Sequence, residues 1–312
     1  MTIKNKRGIF FTALVIVILS LFAITYTFYS ATKQREPIQK RIETLNNFVF
    51  STEEDIERKL KISGFRIIFI LEKKIIETGA YIQNVQNEFS NIYFNGLPST
   101  DPNYNLISGT TFNDMLTDLN NKATKVNAQI RISSPEITIS QNDPWYMNVT
   151  LKSQIIIEDK AGLVKWDKNP ILISAYIPIE NFEDPLYIIN TNGRVTNKIA
   201  KTPSQTFVQG NDISKLLTHL QNSYYLNKTD APSFLNRMQG QITSTSNNGI
   251  ESLVNLEKLT VEGIEIQDKS VVDHIYFSST NPSACKVQPQ GMPSWFKLDN
   301  AHLTTYQVTC AP

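Results

Sequence analysis

The chain has few of the residues that usually carry catalysis or hold small domains together. Among 312 residues there are three histidines, two cysteines and twelve glycines, and the formal net charge is only +1. A near-neutral balance argues against nucleic-acid binding, because a nucleic-acid-binding domain normally concentrates a basic excess on one face. We therefore expect no nucleic acid among the partners of this protein.

Local signatures of the common enzyme classes are also absent from the sequence. It contains no G-x-S-x-G elbow, no P-loop and no G-x-G-x-x-G fingerprint, which would indicate a serine hydrolase, a nucleoside triphosphatase or a dinucleotide-binding enzyme. Carboxylate runs such as Glu53 to Glu57 fit the solvated face of a helix. We expect no catalytic residue, no cofactor and no enzymatic activity; an enzyme whose site is assembled from distant residues is the third alternative.

The histidines give no metal-binding pattern. His219, His274 and His302 are far apart, and none has a spacing such as H-E-x-x-H. Each is predicted to be a surface histidine or an internally hydrogen-bonded one, and no metal site is expected. Asp273 precedes His274 directly, but neighbours on a strand point to opposite faces, so the two are not interpreted as a catalytic pair.

One long apolar segment dominates what the chain does contain. Ile9 to Phe28 holds twenty residues without a charge, which makes about 30 Å of helix and matches the hydrocarbon thickness of a bilayer. A cleaved secretory signal is the alternative, but its apolar core is usually shorter and ends at small residues, whereas Phe28 and Tyr29 are large. The segment is predicted to be a single transmembrane anchor in contact with membrane lipid.

The orientation of the anchor follows from features far along the chain, because basic residues flank the segment on both sides and the positive-inside rule decides little. Cys285 and Cys310 are predicted to form one disulfide in an oxidising compartment; two unpaired buried thiols are the alternative. The sequons at Asn148 and Asn227 are possible glycosylation sites of a glycoprotein. Together these features predict a cytoplasmic N-terminus at the cell membrane and an extracytoplasmic bulk.

The sequence predicts that most of the first hundred residues are helical. The anchor helix is expected to run to Pro37, and a fresh helix is expected at Ser51, where Glu54 gives capping-box spacing. An apolar stripe then predicts a helix ending near Gly79. The favoured interpretation is a helix packed against another helix or a domain; a coiled-coil or filament core, with a protein partner or self-assembly through this stalk, is the alternative. The stripe consists of Ile56, Leu60, Ile67, Leu71 and Ile75.

The middle of the chain alternates apolar and polar residues, which predicts antiparallel strands. The predicted strands cover 135–140, 145–158 and 163–179, with a hairpin turn at 159–162, and residues 186–199 predict a further hairpin at Asn192-Gly193. A helix is predicted before them, at 111–128. In the last third, helices are predicted at 212–225 and 231–240, and strands at 260–266 and 271–277.

The N-terminal sequence KRGIFFTALVIVIL, with Gly8 before an apolar helix that opens at Ile9, resembles the start of a type IV prepilin. In that family a basic leader is cut after Gly and the helix leads into an antiparallel sheet. The resemblance implies processing between Gly8 and Ile9 and a filament subunit. The fifth position after that cut is Ala13, where prepilins usually carry a Glu that helps assembly. The segments ENFEDPLY and DAPSFLNRM resemble singly anchored archaeal surface proteins.

These observations predict an α+β protein with an N-terminal transmembrane helix, a helical stalk, an antiparallel sheet and a mixed C-terminal region with one disulfide. The expected function is that of a singly anchored extracytoplasmic protein with a structural, envelope or partner-binding role; a pilin-like filament subunit is the alternative. The predicted regions are a cytoplasmic leader at 1–8, the anchor at 9–29, the stalk at 30–95, the sheet domain at 96–200 and the C-terminal region at 201–312.

Overall fold

The protein is a mixed α+β molecule, and the computed structural model describes residues 6–243 and 247–312. The leader predicted at 1–8 lies mostly outside the described residues. The helices are α1 (Lys6–Thr78), α2 (Val85–Asn95), α3 (Tyr104–Ile107), α4 (Phe112–Lys125), α5 (Pro185–Asn190), α6 (Ser214–Asn222), α7 (Phe234–Met238), α8 (Leu256–Val261) and α9 (Asp273–Tyr276). The strands are β1 (Ala128–Asp143), β2 (Tyr146–Asp159), β3 (Lys165–Pro178), β4 (Tyr225–Asn227), β5 (Ile250–Ser252), β6 (Ala284–Gln288), β7 (Lys297–Asp299) and β8 (Thr309–Cys310).

Helix α1 is continuous over 73 residues. The predicted end of the anchor helix at Pro37 and the fresh start at Ser51 are therefore wrong. The hydroxyls of Ser51 and Thr52 both donate to the Phe48 carbonyl of the preceding turn, at 3.0 and 2.8 Å, instead of capping a new helix. Such bonding to the preceding turn lets hydroxyl residues stay inside a helix.

The two halves of α1 have different surroundings. Residues Phe10–Ser30 are long and apolar enough to cross a membrane and are not buried in the protein, although a signal sequence near an N-terminus has the same properties. From Leu45 onwards the helix enters the core, and Gly79 follows its last turn with a positive φ of 63°. The predicted stripe is confirmed, since Ile56, Leu60, Ile67, Leu71 and Ile75 are all fully buried.

The core half of α1 packs on an antiparallel sheet of order β1-β2-β3. The predicted strands and the turn after Asp159 are confirmed, and the inward residues of β2 alternate with half-exposed ones as the pleat requires. Gly64 allows the helix to approach the sheet closely, because a Cβ there would overlap with the Ile177 Cδ1 atom and lie 3.2 Å from the Val149 Cγ2 atom. Helix α4 starts as predicted, with a capping box between Thr111 and Asp114.

The hairpin predicted at 186–199 is wrong, since this segment begins with helix α5. The Asp184 side chain caps the helix and Pro185 stands in its first turn, which is a helix-start combination. Asn192 and Gly193 do have positive φ angles of 52° and 75°, as the Asn-Gly dipeptide suggests, but they form the turn after a helix. Residues 184–187 therefore form a helix N-terminus.

The strands predicted at 260–266 and 271–277 are also wrong. Helix α8 begins before the first segment, where the Asn255 side chain accepts hydrogen bonds from two backbone N–H groups, and it ends inside that segment at Val261. The second segment contributes one isolated bridge, Val272 with Leu253, and then turns into α9 at Asp273. The helices predicted at 212–225 and 231–240 are confirmed in shorter form as α6 and α7.

The C-terminal region has its own hydrophobic cluster beside the core shared by α1 and the sheet. Strands β4 and β5 form a two-stranded antiparallel pair, and β7-β6-β8 form a three-stranded sheet. A disulfide joins Cys285 on β6 to Cys310 on β8, with Cα atoms 5.5 Å apart. Several polar side chains of this region are fully buried, among them Arg237, Glu251 and Asp273.

Candidate functional site

The predicted modification positions lie in different surroundings. Asn148 lies on the central strand β2, opposite Ser140 and Tyr176, and its amide oxygen is buried. Asn227 is exposed at the end of β4. Glycosylation at either position stays a prediction, and Asn227 is the more accessible acceptor. The proposed processing positions Gly8 and Ile9 fall within the first turn and a half of α1.

A buried arginine and two aspartates form one ionic centre of the C-terminal region, named here the arginine cluster: Arg237, Asp184 and Asp273. The Arg237 Nη1 atom lies 2.6 Å from the Asp184 Oδ2 atom and 2.9 Å from the Asp273 Oδ2 atom, and all three side chains are fully buried. The guanidinium also donates to the carbonyls of Pro232 and Ile250. Burial opposes the positive charge, but the two carboxylates outweigh it and raise the pKa of Arg237.

The oxygens of the arginine cluster are occupied by further donors. Tyr225 donates its hydroxyl to the Asp184 Oδ2 atom at 2.7 Å, and the Leu186 N–H donates to Oδ1 at 2.9 Å. Ser252 donates both its N–H and its hydroxyl to the Asp273 Oδ2 atom, at 3.0 and 2.8 Å. A buried ionic group with its hydrogen bonds satisfied leaves little capacity for a ligand. We therefore infer that the arginine cluster stabilises the packing of α5, α7, β5 and α9 against one another.

A second centre lies directly beside the first. Glu251 precedes Ser252 on β5, so their side chains point to opposite sides of the strand. His274 follows Asp273 in the first turn of α9 and turns away from Arg237. We name Glu251, His274 and His302 the histidine cluster. His302 comes from the turn after β7, so the cluster joins residues that are separated by 23 and 28 positions in the sequence.

The donor atoms of the histidine cluster converge on one point. The His302 Nε2 atom lies 3.2 Å from the Glu251 Oε2 atom, and the His274 Nε2 atom lies 3.6 Å from the same oxygen. One ligand atom from each residue lies within 4.8 Å of the other two. On its far side the His302 Nδ1 atom is 2.8 Å from Asp299, whose other oxygen accepts a hydrogen bond from the Ser270 hydroxyl at 2.7 Å.

The facing atoms of this cluster are buried and have no hydrogen-bond partner. This holds for both carboxylate oxygens of Glu251, for the Nε2 atoms of His274 and His302, and for the hydroxyl of Tyr306. The exposed fraction is 0% for Glu251, 2% for His302 and 8% for His274. Buried polar atoms are normally satisfied, so a group of them aimed at one another requires an explanation.

Charges within the cluster are strongly coupled. Burial lowers the pKa of His302, but the hydrogen bond to Asp299 and the charge of Glu251 outweigh it and raise the pKa to about 10. Burial raises the pKa of Glu251, but the two histidines outweigh it and lower the pKa to about 2. The Glu251 carboxylate and the His302 imidazole thus each favour the charged form of the other.

Three aromatic side chains, those of Phe207, His219 and Tyr306, pack against one another close to the cluster. His219 is buried, its Nδ1 atom lies 3.2 Å from the Thr202 hydroxyl, and burial lowers its pKa to about 4. Phe207 packs edge-on against His219 and tilted against Tyr306. Phe207 also lines a cavity of about 180 Å³, together with Thr202, Leu226, Thr305, Trp145 and Lys201. Leu226 is the cross-strand neighbour of Glu251.

Sequence reasoning did not find this cluster. The surface alternative for the histidines is wrong, because all three are buried. The strand predicted at Asp273-His274 is a helix, in which each side chain reaches a different ionic centre. Two weak signals were present in the sequence: the Asp273-His274 pair, and the three-residue spacing of Asp299 and His302 in a turn. Imidazole nitrogens with a carboxylate oxygen form a donor set that binds divalent transition metals.

The fold defines a mixed α+β protein that carries a membrane-length apolar helix and a disulfide-linked C-terminal region. Comparison of the chain with models of protein families, with characterised proteins and with solved structures finds no match. The resemblance to type IV prepilins thus stays a prediction carried by the N-terminal residues.

Proposed function

We propose that this protein is a singly membrane-anchored extracytoplasmic protein with a structural, envelope or partner-binding role. The proposal rests on the difference between the two halves of α1. Residues Phe10–Ser30 are apolar and are not buried by the rest of the protein, whereas the later turns of α1 pack in the hydrophobic core of the folded domain, called the body below. One rigid element thereby connects the bilayer to the folded domain. Apolar side chains left exposed over this length are stable when lipid covers them.

The disulfide supports the orientation. Cys285 and Cys310 are bonded, and such bonds persist in oxidising compartments. The body therefore belongs outside the cytoplasm, with the few residues before α1 inside.

The junction between anchor and body is held by a buried ion pair. The Arg41 Nη2 atom lies 2.6 Å from the Asp159 Oδ1 atom and also donates to the Asn127 carbonyl at 3.0 Å. Asp159 ends β2, and its side chain is fully buried. This contact lowers the pKa of Asp159 through the hydrogen bond from Arg41. The body is thus fixed to α1 about one turn before the helix enters the core.

An apolar stripe on the outer face of α1 supports a partner-binding role. Ile62, Phe65, Phe69 and Ile76 are each at least 40% exposed, and at 3.6 residues per turn they fall within an arc of about 60°. We infer that the stripe contacts a second copy of this chain, because anchoring in one membrane presents the same face of α1 at the same height in every copy. Contiguous exposed apolar surface commonly marks an interface.

Topology is tested by labelling intact cells with a membrane-impermeant amine reagent, followed by carbonate extraction of the membranes. The exposed Lys160 and Lys215 of the body should be labelled without lysis, and the protein should stay in the membrane pellet. Labelling that requires lysis would place the body inside and overturn the orientation. Release into the carbonate supernatant would overturn the anchor.

The inferred self-contact is tested with a photo-crosslinking amino acid at Phe69, which lies in the stripe, and at Glu57 on another exposed face of α1. Irradiation of membranes should give a dimer of this chain from position 69 and much less from position 57. Equal dimer yields, or crosslinks from position 69 only to other proteins, would contradict the contact between copies.

The second candidate function is a pilin-like filament subunit processed after Gly8. A specific observation favours it: α1 projects its first half and packs its second half on an antiparallel sheet, the order that the N-terminal resemblance implies. Ala13 stands where that family usually carries the Glu that helps assembly. A mature chain that begins at Ile9, together with filaments in sheared supernatants, would support this candidate; an intact Met1 would eliminate it.

A further inference from the structure

We propose that Glu251, His274 and His302 bind one divalent transition-metal ion, with Zn²⁺ as the ion that the geometry fits best. The site is independent of the anchoring function proposed above. It lies in the interior of the C-terminal region.

The spacing of the donor atoms fits a small coordination sphere. In tetrahedral zinc sites with metal–ligand distances near 2.0–2.1 Å, neighbouring ligand atoms are about 3.3 Å apart. The His302 Nε2 and His274 Nε2 atoms lie 3.2 and 3.6 Å from the Glu251 Oε2 atom. Two histidines and a glutamate occur together as zinc ligands, and a water molecule commonly takes the fourth position.

The arrangement around His302 fixes which nitrogen faces the centre. An ionised Asp299 can only accept hydrogen bonds, so the Nδ1 atom of His302 carries the proton that points to it. The Ser270 hydroxyl and the Ala301 N–H hold that carboxylate in place, at 2.7 and 3.1 Å. A carboxylate that receives the outer N–H of a ligating histidine is the usual support of a metal site.

A cation between the facing atoms resolves the lack of hydrogen bonds. The His302 Nε2 atom faces the Glu251 Oε2 atom at 3.2 Å, and neither atom makes a hydrogen bond of normal geometry. A divalent ion would displace the proton that otherwise lies between these two groups, because metal ligation needs the neutral imidazole and releases protons. A divalent ion satisfies Glu251, His302 and His274 together, whereas a single proton bridges only two of the three.

The three ligands come from different elements of the C-terminal region, so a metal ion bound by all three would connect these elements. Glu251 is on β5, His274 is on α9, and His302 lies in the segment enclosed by the disulfide from Cys285 to Cys310. One ion would thereby connect the segment between Cys285 and Cys310 to β5 and α9. The three ligands are buried, so the ion would be shielded from bulk solvent.

The test uses the full-length protein purified in detergent, stripped with a chelator and equilibrated with Zn²⁺ before metal analysis. The wild type should retain about one ion per chain, and Glu251→Gln and His302→Gln should each lose it. His219→Gln is the matched control, because it removes a buried histidine outside the cluster and should retain the ion. Co²⁺ substitution adds a spectroscopic readout, since the absorption bands of a four-coordinate site should vanish with the same two variants.

Asp299→Asn separates a metal site from a merely structural histidine pair. All three ligands remain, so Zn²⁺ should still bind but with an affinity about 10- to 100-fold weaker. Far-UV circular dichroism and the intact disulfide establish that each variant is folded; if His302→Gln does not fold, His274→Gln replaces it. Absence of Zn²⁺ from the wild type, or equal binding by the wild type and the ligand variants, would overturn the proposal.

Discussion

Removing the charge of Arg237 is expected to be among the most damaging single changes in the C-terminal region. Arg237→Met keeps a long apolar stem but leaves Asp184 and Asp273 buried without their cation. Breaking a buried ion pair by removing one partner typically costs about 3–5 kcal/mol, because the remaining charge stays desolvated. We expect the free energy of unfolding to fall by an amount near the upper end of this range, because two carboxylates lose their cation.

Urea unfolding of the full-length protein in detergent, followed by near-UV circular dichroism, measures this loss as a lower midpoint and a smaller free energy of unfolding. The matched control is the neutral triple variant Arg237→Met, Asp184→Asn, Asp273→Asn. Asparagine still caps α5 and still accepts the Ser252 hydrogen bonds, so this variant should recover most of the loss. If the free energy of unfolding of Arg237→Met lay within about 1 kcal/mol of the wild-type value, which is what an exposed ion pair contributes, the reasoning would be refuted.

Three further changes test other parts of the structure. Burial raises the pKa of Glu72 from 4.5 to about 7, so its contribution to stability is present below pH 4.5 and is lost as the pH rises through 7; Glu72→Gln should flatten this pH dependence in thermal unfolding. Replacing Cys285 and Cys310 by Ser opens a loop with a sequence separation of 25 and should cost about 3.5 kcal/mol in urea unfolding. Gly64→Val should lower the urea midpoint by overpacking against Ile177, at a cost of about 1–3 kcal/mol.

Each of these changes has an internal control. The wild type and Glu72→Gln should differ most above pH 7, and equal pH profiles would contradict the assigned cause. The cysteine variant should match chemically reduced wild type; a wild type indifferent to reduction would contradict a stabilising disulfide. Lys61→Val introduces the same side chain on the exposed face of α1 and should be nearly neutral; a loss equal to that of Gly64→Val would contradict overpacking as the cause.

The periodic parts of the fold were predictable from sequence because each residue type follows its local surroundings. Ile56, Leu60 and Leu71 recur at helical spacing and are buried on one face of α1. The alternating strands of 128–178 follow the pleat of a sheet with one buried face. In both cases the pattern is long enough to identify the period.

The rest depended on tertiary contacts or on competing local signals. Asp184 and Pro185 outweighed the strand-like composition after them and started α5, and the Asn-Gly dipeptide was misread as a hairpin. Glu251, His274 and His302 come together only because β5, α9 and the turn after β7 pack side by side. Their sequence separations carry no motif, so only the folded chain brings these donors to one point.

The mature N-terminus of the membrane-extracted protein tests the central claim most directly, because it decides whether the apolar segment remains attached to the body. Mass analysis of the N-terminal peptide should find an intact Met1, with Ile9 to Phe28 retained as the anchor. A mature chain beginning near Ser30 would show that the segment is a cleaved signal and would contradict the account.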